Sequence, residues 1–294
     1  MTEAVALPRP QGLLGVSRDY LQLSKARIVL MVLITTAAGM LFATPRLHWA
    51  LLINTLVGTA LVAAGTNALN QYVERDHDAK MRRTRLRPLP DGRIGPTAAL
   101  VFSSAIAVIG TVYLGLAVSW LTAALGAFTL TSYIFIYTPL KRLSPICTLI
   151  GAVPGAIPPL MGWTAATGSL GAGGWVLFGI LFFWQLPHFM AISWIYREDY
   201  GRAGFAMRAV RDPEGLAIAR EAVGYSVALL AVSVLPTFLG LAGSRYLAGS
   251  VIAGLAMLAA SLVFLNDRNS RSARRLFMTS NFYLIVLMIL LVLH

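Results

Sequence analysis

Nine apolar runs, each able to cross the ~30 Å hydrocarbon core of a bilayer as a helix, leave few folds open to this chain. They cover residues 28–44, 48–67, 97–118, 120–138, 146–166, 175–196, 222–241, 246–265 and 276–293. The stretch 97–138 carries no charge and is too long for one span, so it is divided at Ser119. A soluble domain is about a quarter charged, whereas 12% of this chain is charged and 57% is hydrophobic. In lipid, backbone groups must be paired within the spanning segment, which makes helices the expected element. The expected fold class is therefore all-α: a polytopic membrane protein of about nine transmembrane helices.

Charge orients the bundle. All of the 24 Lys and Arg except Arg46 and Arg245 lie in the N-terminal arm or in every second inter-helix segment. All 12 Asp and Glu fall on that same side. Positive charge marks the cytoplasmic face, so the N-terminus is expected inside and the C-terminus outside. The arm, residues 1–25, bears Arg9, Arg18 and Lys25 and lacks the cleavage site of a secretory signal, so it is expected to be retained as a cytoplasmic segment. Residues 26–294 then form the intramembrane domain. The net charge of +12 serves orientation and faces anionic lipid headgroups of the bilayer. No basic helix or aromatic ladder stands clear of the membrane, which argues against nucleic acid as a partner. Cys147 is the single cysteine, so no intrachain disulfide can form.

Two inside segments are long, 71–96 and 197–221. They follow the second and sixth spans, a spacing suggestive of an internal repeat with a site where the halves meet. In the first, Asn70, Glu74 and Asp78 stand at i, i+4 and i+8, on one face of a continuing helix. Like charges at that spacing destabilise a helix, and a divalent cation reverses the sign of the cost. Mg²⁺ takes one or two carboxylates together with phosphate oxygens, which matches this ladder. Asp76 lies off the face. Arg82, Arg83, Arg85 and Arg87 follow at once, and guanidinium grips phosphate bidentately. Orientation alone explains the arginines, but not three metal-type ligands in register. An amphiphilic diphosphate is the expected ligand.

Three further clusters lie at or below the same face. Lys141 and Arg142 form a second basic pair. The fifth span carries Pro154, Pro158 and Pro159 among Gly151, Gly155 and Gly162, which fits either a cavity wall or a kinked helix packed inside the bundle. His188, with Gln185 one turn earlier, is an ionisable residue inside the membrane, where such groups are functional by default. Its imidazole can ligate haem iron, act as a base, orient a polar substrate, or bond a neighbouring helix. Glu198 and Asp199, beside Arg197 and Arg202, read either as a second acidic cluster or as a loop salt bridge. His48, His77 and His294 lie at interfaces and support no such role.

The pattern Asn70-x-x-x-Glu74-x-x-x-Asp78 resembles the first acidic motif of the UbiA-type intramembrane prenyltransferases. Its extension Met81-x-Arg83-Thr84-x-x-Arg87-Pro88-Leu89 is similar to that of the protohaem IX farnesyltransferases, or haem O synthases. Tyr137-Thr138-Pro139-Leu140-Lys141-Arg142, residues 151–163 and Trp184-Gln185-x-Pro187-His188-Phe189 fit the same family, so the resemblance covers most of 70–200. It implies nine helices around a central cavity open to lipid, in the cell inner membrane. It implies transfer of a farnesyl group from farnesyl diphosphate to a vinyl group of protohaem IX, with haem A synthase or oxidase assembly proteins as partners. On that reading Asn70, Glu74 and Asp78, joined by Asp199, hold Mg²⁺. Arg83, Arg87, Lys141 and Arg142 bind diphosphate, and His188 with Gln185 faces the haem. Cys147 stands where the family commonly has Asn, and Glu198-Asp199 departs from the paired aspartates of much of the superfamily. Two rival readings are a prenyltransferase for an aromatic acid or quinone precursor, and a non-catalytic haem carrier or assembly factor. The run Trp184–Phe189 argues against the first, the metal ladder against the second.

Overall fold

The computed structural model describes residues 12–293 apart from 45 and 47; Arg9 and His294 lie outside them. Twelve helices are designated α1 (Leu13–Leu23), α2 (Ala26–Ala43), α3 (Trp49–Asp78), α4 (Pro96–Ala117), α5 (Trp120–Leu140), α6 (Cys147–Thr167), α7 (Ala172–Ile195), α8 (Arg197–Arg202), α9 (Arg208–Arg211), α10 (Leu216–Phe238), α11 (Ser244–Asp267) and α12 (Ser270–Val292). Among the described residues, nine helices are long and apolar enough to cross a bilayer, and each coincides with one of the nine apolar runs.

Consecutive helices pack side by side, and α2 touches both α3 and α12, which closes the bundle into a ring. Helices α6 and α7 are the most enclosed: 61% of their apolar window is buried, against 28–39% for the other spans. The prolines of α6 do not break it. It runs unbroken over 21 residues and packs backbone to backbone on α2, with Gly162 on the Thr36 carbonyl and Gly39 on the Pro159 carbonyl. Any side chain at these glycines would collide with backbone, the small-residue contact usual between membrane helices. Of the two expected roles for the prolines, close packing inside the bundle is the one seen.

Helix ends differ from the apolar runs. Helix α3 continues eleven residues past 67 to Asp78, α10 starts at Leu216 rather than 222, and α12 at Ser270 rather than 276. Hydropathy marks the part of a helix that sits in lipid. The helical hydrogen bonds continue beyond that, where polar side chains pair with one another or reach water. The N-terminal arm also contains α1, which buries Asp19 and Leu23. Asp19 pairs with Arg93, and Leu23 packs with Ala68, Leu89, Ile94 and Ala99. Near its end α5 widens into a π-turn over Ser132–Tyr137, where the Thr138 hydroxyl donates to the Tyr133 carbonyl at 2.8 Å. Such bulges re-aim the side chains that follow and are frequent at functional sites.

The two long charged segments fold onto one another. Met81 from the first is buried with Ala203, Phe205 and Met207 from the second, over Cys147. The Arg83 backbone N–H donates to Asp199 at 3.3 Å, and His77 Nδ1 lies 2.8 Å from the Ala203 carbonyl.

Candidate active site

The ladder sits at the charged end of α3, and all three members are buried: Asn70 and Asp78 are 1% exposed and Glu74 6%. Each faces a group from a different part of the chain. Lys25, at the corner between α1 and α2, donates to Asn70 Oδ1 at 2.8 Å. The Asn70 amide donates to the Thr138 hydroxyl at 3.2 Å. Lys141, one turn past the π-turn of α5, donates to Glu74 Oε1 at 2.8 Å, with its ammonium 4.5 Å from the Tyr137 ring centre. Arg87 reaches back over the intervening loop to Asp78 Oδ2 at 2.6 Å. The like-charge cost expected along this face is offset here by a separate cation on each carboxylate.

Lys25 went unnoticed in the sequence except as a topological charge. Its backbone is left-handed, with φ of 53°, a conformation that costs a non-glycine residue roughly 1–2 kcal/mol. Gln71 holds the corner in place, its amide donating to the carbonyls of Gln22 (3.1 Å) and Leu23 (2.6 Å). Burial, aided by repulsion from Arg87 and Lys141, pulls the Lys25 pKa down to about 7. Burial acts most strongly against the charge on Lys141, but the adjoining Glu74 carboxylate together with Tyr137 and Tyr133 offsets it and holds Lys141 well above an ordinary lysine. Lys141 is held charged, and the negative charge of an incoming anion favours the charged form of Lys25 as well.

The outer basic residues are not on the ladder. The Arg83 guanidinium lies 5.0 Å over the Tyr196 ring. Arg142 donates to His77 Nε2 at 3.2 Å. Asp199 uses one oxygen for Arg202 and the other for the Arg83 N–H, which makes it a clasp between the two segments. Glu198 is exposed, and so is Asp76, whose carboxylate lies 3.8 Å from Arg75. Among the described residues no three of His, Cys, Asp and Glu cluster as a metal set. A cation here would rely on Asn70, Glu74 and Asp78 plus oxygens from its ligand. That donor set is all oxygen, as Mg²⁺ prefers, and Asp78 Oδ1 is buried without a hydrogen-bond partner.

Deeper in the bundle, His188 lies in the seam between α7 and α12. Its Nδ1 is 2.7 Å from the Ser280 hydroxyl, and its ring stacks on Trp184 and lies tilted against Phe277, both 4.9 Å between centres. Gln185 turns the other way, toward α6, where its amide donates to the Ala152 carbonyl at 3.4 Å and its oxygen abuts Gly155; the amide also donates to the Leu181 carbonyl of its own helix at 3.0 Å. The structure thus brings Lys141 and Arg87 to the ladder, adds Lys25 and Thr138, and separates Gln185 from His188.

A buried oxygen ladder ringed by cations, at one end of a bundle with a polar ring deep inside, has the layout of a membrane-embedded site for an anionic headgroup. The sequence profile of the UbiA prenyltransferase family matches residues 32–285. A "Protoheme IX farnesyltransferase" of Solibacter usitatus is 45% identical over 277 residues, which cover 91% of this chain and 95% of that protein. The fold is also similar to that of a digeranylgeranylglyceryl phosphate synthase (TM-score 0.78, 17% identity, 94% of this chain and 97% of that one). A UbiA homolog from Archaeoglobus fulgidus bound to GPP and Mg²⁺ has a TM-score of 0.65 at 14% identity over 93% of this chain and 99% of its own. The chain belongs to the UbiA prenyltransferase family, within its protohaem IX farnesyltransferase branch.

Proposed function

We propose that this protein transfers a farnesyl group from farnesyl diphosphate to a vinyl group of protohaem IX, giving haem O. The observation that carries this reading is the meeting of Lys25, Lys141 and Arg87 on one buried oxygen ladder, in a chain 45% identical to a protein of that name. Each cation can move from its carboxylate or amide to a diphosphate oxygen over a few ångströms, so the pocket is preorganised for the charge of a leaving group. Arg83 and Arg142, at the rim, steer the headgroup inward, and Asp199 holds Arg83's backbone beside it. Asn70, Glu74 and Asp78 would hold Mg²⁺, with Asp199 the outlying member of that set; the bound ion supplies charge stabilisation for the departing diphosphate. The relative from Archaeoglobus fulgidus, bound to GPP and Mg²⁺, supports that assignment.

The allylic C–O bond breaks as the farnesyl carbon bonds the vinyl carbon. The cation left beside the porphyrin takes a water oxygen and releases a proton, giving a hydroxyethyl-farnesyl substituent. Enclosure by α6 and α7 keeps water from the allylic centre before that bond forms. His188 faces the haem, while Gln185, also on α7, shapes the adjoining wall by bonding α6. Mass spectrometry of haem from cells expressing the protein is the direct test: a hydroxyethyl-farnesyl haem is expected, and a prenylated quinone precursor in its place would overturn the assignment.

The ladder faces the cytoplasm in the cell inner membrane, with the N-terminus inside and the C-terminus outside. The arm 1–25 belongs to the cytoplasmic side and lends Lys25 to the catalytic domain formed by 26–294, from which haem A synthase or oxidase assembly proteins receive the product. Reporter fusions after Ser119 and Thr167 are expected to read outside, and one after Arg142 inside. An outside reading at Arg142 would place Lys141 away from the cytoplasmic pool of diphosphate.

Lys25→Met tests the third cation. Replacing a buried ammonium by an apolar chain of similar length relieves desolvation, so the melting temperature of the ligand-free protein is expected to hold or rise. Loss of a charged hydrogen bond of ~1.5 kcal/mol raises the KM for farnesyl diphosphate about tenfold. A fall in melting temperature at unchanged KM would make Lys25 purely structural.

A further inference from the structure

We infer that Ser280 on α12 is a positioning residue that fixes the tautomer of His188 and leaves its Nε2 lone pair free for the iron of the acceptor haem. The inference rests on the reading of His188 as the residue that faces the haem. Ser280 is fully buried, and its hydroxyl contacts two groups: it donates to the Phe277 carbonyl at 2.7 Å and lies 2.7 Å from His188 Nδ1. A carbonyl can only accept, and a hydroxyl has one proton. With that proton on Phe277, the serine oxygen must accept from the ring, which places the imidazole proton on Nδ1. Nε2 then carries the lone pair, and it has no hydrogen-bond partner among the described residues.

The surroundings hold this arrangement rigidly. Trp184 and His188 are four residues apart on one face of α7, and both bond Ser280: the Trp184 indole N–H donates to the Ser280 backbone carbonyl at 2.6 Å. The indole stacks on the imidazole and the Phe277 ring lies tilted against it, so aromatic contacts hold the orientation of the polar ring. A histidine kept only to bond a neighbouring helix needs one nitrogen, and Nδ1 already does that. Metal-binding histidines have this construction: the second nitrogen donates to an oxygen that sets the tautomer and the ring's orientation.

The test is a titration of the purified full-length protein with ferric protohaem IX, followed by absorbance. The wild type is expected to show an imidazole-ligated spectrum that His188→Ala abolishes. Ser280→Ala is expected to lower haem affinity by ~10–100-fold and to alter the ligand-sensitive bands, with farnesyl diphosphate binding and melting temperature near wild type. Ser280→Thr, which keeps the hydroxyl, restores the spectrum. Ser261→Ala removes a buried serine hydroxyl from a different seam, where it bonds Ser226 between α11 and α10, and the wild-type bands are expected there. If Ser280→Ala keeps the wild-type spectrum and affinity while His188→Ala loses them, the positioning role is overturned and the haem-facing role of His188 stands. If Ser261→Ala shifts the bands as Ser280→Ala does, general loosening of the bundle is the cause and the inference fails. If His188→Ala binds haem as wild type does, the underlying reading fails with it.

Discussion

Turnover of farnesyl diphosphate is expected to fall by ~10³-fold or more in Glu74→Gln and in Asp78→Asn, the several kcal/mol that a bound metal contributes to a leaving group. Chelation of divalent cations should reproduce the loss in wild type, and added Mg²⁺ should rescue the wild type alone. The structure sets the sign of the stability change. Read from α3 alone, either substitution removes a like-charge repulsion. In the folded chain each carboxylate instead neutralises a half-buried cation, Lys141 or Arg87. An amide still accepts their hydrogen bond but not their charge, so ligand-free stability is expected to drop by ~1–2 kcal/mol, the difference between charged and neutral bonds. Melting curves and turnover on the same samples separate the two effects. Near-normal turnover in Asp78→Asn removes the metal from the proposal.

The parts of this site legible in the sequence were those carried by local periodicity. Asn70, Glu74 and Asp78 share a face because one helix holds all three, and their i, i+4, i+8 spacing just past the apolar run 48–67 marked it. Lys141 was legible as a basic residue at the right end of a span. Lys25 was not, because its approach depends on a left-handed corner and on Gln71 holding that corner from another helix. Spacing along the chain contains no such information. Arg83 and Arg87 look equivalent in the sequence, four residues apart in one basic run. A loop fold that buries Met81 and Leu89 turns one toward Tyr196 and the other onto Asp78. Ser280 was invisible for a related reason: 92 residues separate it from His188, and serine is common in membrane helices. The pairing of Gln185 with His188 failed because residues three apart on α7 face different neighbours once α6 and α12 pack on opposite sides.

The second large effect separates the two substrates by depth. His188 stands eight residues from Tyr196, just past the charged end of α7, or ~12 Å of helix rise, whereas Arg87 and Lys141 lie with the ladder at that end. A flat apolar acceptor suits the deeper level and a diphosphate the shallower one. Arg87→Ala removes a charge-assisted contact worth ~1.5–3 kcal/mol, so the KM for farnesyl diphosphate is expected to rise by roughly 10–100-fold. Bound haem should keep its spectrum in that variant. His188→Ala is expected to do the reverse: haem binding or its conversion is lost, and farnesyl diphosphate binds as in wild type. Truncation at 188 also leaves Ser280 without its partner in the seam, but that hydroxyl still donates to Phe277, so the bundle is expected to stay folded. Haem titration by absorbance and a diphosphate-binding assay on both variants give the comparison. Equal losses of both ligands in both variants would mean one shared site, and normal haem conversion in His188→Ala would move the acceptor to another part of the bundle.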